Sequence, residues 1–462
     1  MYTLELFAVF NVIFIDYSPY LMYIILGGIM LKRKINDSLL AWKQSTNKKC
    51  LIIEGARQVG KTYSITQFAN DHYLVENTVI INFLENMEAH KIFAGDLDAK
   101  TIKEGIKILF RDKALKPGET ILFLDEIQAC PNAIAALKFL SIDGSMDVIA
   151  SGSLLGIAYS AVSSFPVGYV DRVIMNSLDL QEFLWALDIE DKTVKQVKNC
   201  FDTATQVPEI IHSQMMKLFT QYVVVGGMPE VVNAYKSKHD FNQVLKIQQS
   251  IIKDYKDDIA KYANRSDKVK ARECFESIPR QLSKDYKKFQ YKVVSPNGRS
   301  TTYGSSIQWL IDAGIINKCH NLTIPNLPLV GYIWVDSFKI YLRDTGLLLG
   351  MLGVETQTSV LQGDLGTYNG GIYENIISDI LFKAGKELMY FERRSQLEID
   401  FIIPFKGQIA AVEVKSADNT KSKSLENLLN EKAVQYGIKL SSKNVSKNGS
   451  IYGYPLYMAM FL

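Results

Sequence analysis

From residue 50 to about residue 180 the chain alternates short apolar runs with stretches whose apolar residues recur at helical spacing. The runs at 51–54, 79–84, 120–124, 147–150 and 172–177 are almost continuously hydrophobic, as strands covered on both faces must be. Strands separated by helical periods predict an α/β unit built on a parallel sheet with helices on both sides. Upstream, the spacing of Ile35, Leu39, Leu40 and Trp42 predicts an amphipathic helix that leads into the first strand. From 181 to about 265 the pattern is helical, including 182–187 and a segment around 222–235. Gly226-Gly227-Met228-Pro229 interrupts it, glycine ending one helix and proline opening the next. The break reads either as a hinge or as a fixed corner.

Residues 265 to about 329 are lysine-rich, with a helix near 272–282, the basic run Lys284 to Phe289, a turn at Asn297-Gly298-Arg299, and a helix over 304–313 closed by Gly314. Helix, helix and short hairpin predict a winged-helix-like module whose basic groups could meet phosphates beside Tyr303 and Trp309. A basic helical spacer fits the same pattern. A connector containing Lys339 to Leu348 follows, then a helix carrying Glu374 and running to about Lys383. Alternating strands at 397–403 and 409–415 meet at the turn Phe405-Lys406-Gly407, and 451–462 reads as a last strand.

The first apolar run ends in Gly55-Ala56-Arg57-Gln58-Val59-Gly60-Lys61-Thr62, followed by Tyr63. A Gly-x-x-x-x-Gly-Lys-Thr turn between a buried strand and a helix is a phosphate-cradling loop. Its glycines let successive backbone N–H groups converge on phosphate oxygens, Lys61 brings a mobile positive charge, and Thr62 brings a hydroxyl ligand for Mg²⁺. The third apolar run ends in Asp125-Glu126, at the strand edge where ligands of open α/β sheets sit. Asp125 can hold Mg²⁺ and Glu126 can orient the attacking water, so an acidic pair there favours hydrolysis over a bare switch. The fourth run ends in Ser151-Gly152-Ser153, where Ser153 is placed to sense the γ-phosphate or simply to make a turn. Arg57 and Arg172 are the cations best placed for transition-state charge, with structural ion pairs as the competing reading.

In the terminal hairpin, folding about 405–407 sets Asp400 opposite Glu413 or within one bulge of it, and period two puts Lys415 on the face of Glu413. Such a set suits a metal-dependent phosphodiesterase: Asp400, Glu413 and Glu374 on Mg²⁺, and Lys415 assisting water. A cross-strand salt-bridge pattern accounts for the same residues.

The 462 residues exceed one ordinary domain, and 47% hydrophobic with 22% charged residues is a globular balance. The formal charge of +3 neither demands nor excludes nucleic acid. Five dispersed cysteines without a Cys-x-x-Cys pair argue for a reducing compartment, so a cytoplasmic location is expected, and against zinc or disulfides. The five histidines fall in no ligand spacing. The apolar runs at 6–15 and 20–31 are each shorter than the roughly 20 residues a spanning helix needs. They lack signal-peptide features, and no stable membrane association is expected. Among an anchor, a buried hairpin and sequence ahead of the native start, the last is the reading adopted for 1–29.

Gly-Ala-Arg-Gln-Val-Gly-Lys-Thr, Phe-Leu-Asp-Glu-Ile-Gln, Ser-Gly-Ser, Phe165-Pro166-Val167-Gly168 and Leu178 to Phe183 together resemble the prokaryotic AAA-type ATPases of the archaeal ATPase-like group. That resemblance covers the chain from about Met30 and implies ATP binding, hydrolysis and a C-terminal domain of unknown function. Asp400 with Glu413-x-Lys415 is similar to the restriction-endonuclease-like fold. The domains expected are a 30–180 P-loop NTPase, a 181–264 helical lid, a 265–330 winged-helix-like module, and 331–462 as connector and nuclease-like α/β domain. ATP and Mg²⁺ are the expected ligands, with DNA and a second copy of the chain as candidate partners. The competing reading is an ATP-dependent regulatory or interaction protein whose terminal domain does not cut.

Overall fold

A computed structural model describes residues 31–153, 165–262, 267–284, 287–363, 369–393, 397–415 and 422–462. The segment expected at 1–29 lies outside them. The described chain divides into two compact units, one of residues 31–53, 60–152 and 165–173, the other of 54–59, 153 and 174–462.

The first unit is built on β1 (Cys50–Glu54), β2 (Thr78–Asn82), β3 (Ile121–Asp125), β4 (Asp147–Gly152) and β5 (Val170–Ile174), in the order β2-β3-β4-β1-β5. β2, β3 and β4 pair in parallel, with Val79 beside Leu122 and Leu122 beside Val148. All five residues of β3 are buried, which is why that run carries no polar residue before Asp125. Helices Lys61–His72, Ala99–Leu109 and Pro131–Asp143 alternate with the strands. Asp98 caps the second of these through the N–H groups of Lys100 and Thr101, and Pro131 opens the third. β5 starts and stops earlier than the apolar run suggested, leaving Met175 to donate its N–H to Glu54 O at 2.7 Å.

In the second unit the helices Leu180–Ala186, Asp191–Thr203, Glu209–Val225, Pro229–Lys238 and Phe241–Tyr262 fill the stretch read as helical. Asp179 and Glu182 close a capping box on the first. The Gly-Gly-Met-Pro break is a hydrogen-bonded, closely packed corner. Asp344 accepts hydrogen bonds from Ser177 Oγ (2.9 Å), Gly227 N (2.8 Å) and Leu347 N (3.2 Å), while Leu178 N donates to Gly227 O at 2.7 Å. A Cβ on Gly227 would stand 2.1 Å from Leu178 O, and one on Gly226 would stand 2.2 Å from Asp344 Oδ1. Backbone atoms cannot yield there, so Gly227→Ala is expected to lower unfolding free energy by about 2–3 kcal/mol, read by urea denaturation. A change within experimental error would show that the corner gives way.

Helices Lys268–Leu282, Tyr291–Val294 and Ser300–Asp312 precede an antiparallel hairpin of β6 (Ile316–Leu322) and β7 (Ile333–Leu342). The stretch expected to be a connector therefore begins with a ten-residue strand, whose last six residues are buried. Ser337, Lys339 and Tyr341 alternate through that buried half, and their polarity disguised it. β6 also pairs in parallel with β8 (Met389–Arg393), which pairs with β9 (Leu397–Ile399), giving a sheet β7-β6-β8-β9 that crosses the boundary expected at 330.

A third sheet, β10-β11-β12-β14-β13, comprises β10 (Phe401–Phe405), β11 (Gln408–Val414), β12 (Tyr436–Ser441), β13 (Ser446–Asn448) and β14 (Ile451–Pro455). β10 and β11 run antiparallel, β11 and β12 parallel. The run read as one strand over 397–403 divides at Asp400 between two sheets. The closing segment is a strand only to Pro455, after which Leu456–Phe461 turns in 3₁₀ form. Helices expected to act as a lid pack on this terminal part: the Tyr454 and Phe201 ring centres lie 4.5 Å apart with the rings tilted by 33°, and the Tyr457 hydroxyl lies 3.0 Å from His212 Nδ1.

Candidate functional site

Gly60, at φ 94°, turns the chain into the helix Lys61–His72 and so sets Lys61 and Thr62 in its first turn. Thr62 Oγ1 donates a hydrogen bond to Asp125 Oδ2 at 2.8 Å, and Ser151 Oγ donates to the other carboxylate oxygen. Asp125 and Lys61 are both buried. The sheet order explains the meeting: β4, which ends in Ser151 and Gly152, lies between β3 and β1, so Ser151 at the end of β4 and Thr62 in the helix that follows β1 both reach the carboxylate at the end of β3. Glu126 has φ 50°, a left-handed conformation costing a non-glycine residue roughly 1–3 kcal/mol, and its carboxylate accepts a hydrogen bond from the Gln128 amide. Such strain at the position expected for water activation is an outlier of the kind found at working sites. The hydroxyl of Thr62 and the carboxylate of Asp125 are hard oxygen donors and fit Mg²⁺. Ser153 is buried with its hydroxyl unpartnered among the described residues.

In the second unit, Gly55 has φ 156°, and a Cβ there would meet Met175 O at 2.1 Å, so the tight start of the loop requires glycine. The helix Phe241–Tyr262 grips the next residues. Arg57 pairs with Asp258 at 2.8 Å, Gln58 Nε2 donates to Asp254 at 2.8 Å, and the Tyr255 hydroxyl donates to Arg57 O at 3.3 Å. For Arg57 the ion pair is thus what the structure shows. Arg172 lies with its guanidinium carbon 4.3 Å from the Phe165 ring centre. Asp254, Tyr255 and Asp258 had no sequence signal tying them to a loop two hundred residues away; only their i, i+4 spacing put both acids on one helix face.

At the terminal constellation Phe401 pairs with Val412, so Asp400 stands one step beyond, level with Glu413 as the hairpin predicts. Asp400 accepts from Val414 N at 2.7 Å, and Lys415 pairs with Glu413 at 2.5 Å. Glu374 does not join them as a metal ligand. Its carboxylate is taken by Lys287 at 2.6 Å, Lys339 at 3.3 Å and the Tyr341 hydroxyl at 3.0 Å, and Lys339 also pairs with Glu398 at 2.6 Å. Burial opposes the charge of Glu374, but Lys339 and Lys287 outweigh it and hold the carboxyl below its usual range. Asp400 is pushed up, chiefly by burial and then by Glu374. Among the described residues no three His, Cys, Asp or Glu side chains converge to hold a metal. Two ammonium groups already neutralise Glu374, so the residues present do not fit the three-carboxylate centre, and no cleavage step follows from them.

Of the expected phosphate-facing groups of 284–289, one lysine turns inward. Lys287 is committed to Glu374, and Lys288 lies 5.1 Å from the Trp334 ring centre. Tyr303, expected beside a nucleic acid, is buried with its hydroxyl donating to Glu273 at 2.7 Å.

One buried carboxyl nearby carries a pH signature. Burial pushes Asp379 up to about 7, against the pull of Lys383 2.8 Å away and with Asp344 adding to the rise. Its ordinary value is 3.8, so between about pH 4 and 7 the folded chain holds a proton the unfolded chain has released. The group's contribution is full below that window and is lost as pH rises through it. Asp379→Asn is expected to flatten the fall in unfolding free energy between pH 5 and pH 7.5; an unchanged slope in urea titrations would refute the assignment.

Residues 47–184 match a family described as an AAA domain, 216–358 a domain of unknown function (DUF8612), and 369–458 a second domain of unknown function (DUF4143). An uncharacterized protein of Methanocaldococcus jannaschii is 23% identical over 416 residues, covering 86% of this chain and 81% of that protein. Among solved structures, the chain is similar to a Walker-type ATPase of Pyrococcus abyssi at 13% identity and TM-score 0.42, covering 70% of this chain and 96% of that one. The ORC1 protein of Aeropyrum pernix, solved in complex with DNA, matches at 12% identity and TM-score 0.27, over 70% of this chain and 93% of that one. The chain thus carries an AAA domain on a parallel sheet and a DUF4143 domain at its C-terminal end.

Proposed function

We propose that the chain binds ATP with Mg²⁺ through residues 55–62 and hydrolyses it. The observation that carries this reading is the hydrogen bond from Thr62 to Asp125, which ties the phosphate-loop hydroxyl to the acidic strand end. The AAA-domain match over 47–184 supports it. In this reading the backbone N–H groups of Gly55, Ala56, Val59 and Gly60 cradle phosphate oxygens, with Gln58 and Tyr63 flanking them, and Lys61 neutralises charge on the terminal phosphates. Thr62 and Asp125 are the residues that would hold Mg²⁺, which when bound screens the phosphate charge. Glu126 orients the attacking water and accepts its proton, and Ser153 reports the γ-phosphate through its unpartnered hydroxyl. Phosphate release by the purified full-length chain, with and without a magnesium chelator, tests this. Magnesium-dependent release is expected, and none above background would refute it.

The terminal domain, in the same reading, is a non-cutting partner of the ATPase. Commitment of Glu374 to Lys287 and Lys339 supports that choice over a nuclease with Asp400, Glu413 and Lys415 at its centre. Association with DNA is a second reading, favoured by the order of three helices and a hairpin over 268–342. Stimulation of phosphate release by duplex or single-stranded DNA would support it, and indifference to both would remove it.

A further inference from the structure

Within the second unit a cavity of about 800 Å³ opens between the helix Ser300–Asp312, β6 and the turn after the helix Asn369–Lys383. No residue of the phosphate loop lines it. Its volume is in the range of small-molecule sites, which are mostly apolar with a few convergent polar groups. One side is apolar: Ile311, Ile316, Ile333, Phe382, Leu388 and Met389.

The polar side is rich in donors. Asn317 is 2% exposed; its Oδ1 accepts from Arg343 Nε at 2.9 Å, while Nδ2 is buried with no hydrogen-bond partner among the described residues. His320 Nδ1, on the same strand and the same lining, is likewise buried and unpartnered. A buried amide N–H without an acceptor is costly, so a donor retained there is kept for something that enters the cavity.

The charges agree with the donors. Lys318, Arg343, Lys383 and Lys386 line the cavity against a single lining carboxylate, Glu387. Lys383 is already paired with Asp379, and Arg343 donates to Asn317 and to Ile311 O while lying over the Phe382 ring. Lys318 lies 4.3 Å from the Phe338 ring centre, and neither it nor Lys386 makes a salt bridge among the described residues. Burial holds Lys318 below the usual lysine range against the pull of Asp336, and burial together with the charge of Lys318 lowers His320.

We infer that this cavity binds a small organic anion, with its apolar body against the isoleucine and leucine wall and its carboxylate or phosphate head received by Asn317, Lys318 and Lys386. It is a site separate from the nucleotide loop and stands whether or not the chain hydrolyses ATP.

The test uses 8-anilinonaphthalene-1-sulfonate, an aromatic monoanion whose fluorescence rises on transfer to an apolar site, titrated into the full-length chain. Saturable binding of one probe per chain is expected, displaced by decanoate, by octyl phosphate, or by both. Displacement by decanoate alone would identify a carboxylate site and by octyl phosphate alone a phosphate site. The double variant Lys318→Gln/Lys386→Gln is expected to bind the probe at least tenfold more weakly with an unchanged thermal midpoint. Asn317→Leu, which removes the buried donor, should act in the same direction. Unsaturable binding, displacement by neither competitor, displacement by Mg-ATP instead, or wild-type affinity in the double variant would each overturn the inference.

Discussion

Lys61→Ala is expected to lower ATP turnover by about 100-fold to 1,000-fold, the loss typical when one preorganised charge is taken from a developing oxyanion. Lys61 is buried at the head of its helix, so the substitution removes a cation that the fold has already desolvated. Glu126→Gln keeps shape and hydrogen bonding but cannot accept a proton. It should retain ATP binding while losing turnover to a similar degree, with Gln128 still able to hold the side chain. Pairing the two variants separates roles: Lys61→Ala should weaken both binding and turnover, Glu126→Gln turnover alone. Equal turnover in wild type and Glu126→Gln would remove that residue from the chemistry.

The second large effect is structural. Glu374→Gln is expected to destabilise the second unit by about 3–5 kcal/mol, because Lys339, almost wholly buried, would keep only Glu398, and Lys287 would lose its carboxylate. The triple replacement of Glu374, Lys339 and Lys287 by methionine should recover much of that loss, since a buried network replaced as a whole leaves no orphan charge. Urea denaturation with and without magnesium distinguishes this account from a metal site. An ion-pair network loses the same stability under both conditions, whereas loss appearing only with magnesium present would return Glu374 to the role of ligand.

The sequence carried the first unit in detail. Continuous apolar runs marked β1 to β4 because a strand covered on both faces admits few polar residues, and spacing alone singled out Thr62 and Asp125, which the structure joins by a hydrogen bond. In the terminal hairpin, folding about the turn at 405–407 was enough to level Asp400 with Glu413. The same reasoning failed where a charge is buried. Lys339 was read only as part of a connector, yet it sits inside a strand, held by Glu374 from a helix and by Glu398 from β9 of the same sheet. Neither partner is near it in sequence, and no local pattern encodes such a pairing. Asp400 concealed a second feature: the alternation Leu397-Glu398-Ile399-Asp400-Phe401 continues across the change from one sheet to the next. The grip of Asp254 and Asp258 on the phosphate loop is illegible for the same reason, being a tertiary contact between residues without special composition.

Titration of Mg-ATP into the full-length chain by calorimetry tests the central claim most directly. Saturable binding of one nucleotide per chain is predicted, abolished or strongly weakened in Lys61→Ala. Absence of any binding heat in the wild-type chain at several temperatures, with magnesium present, would contradict it.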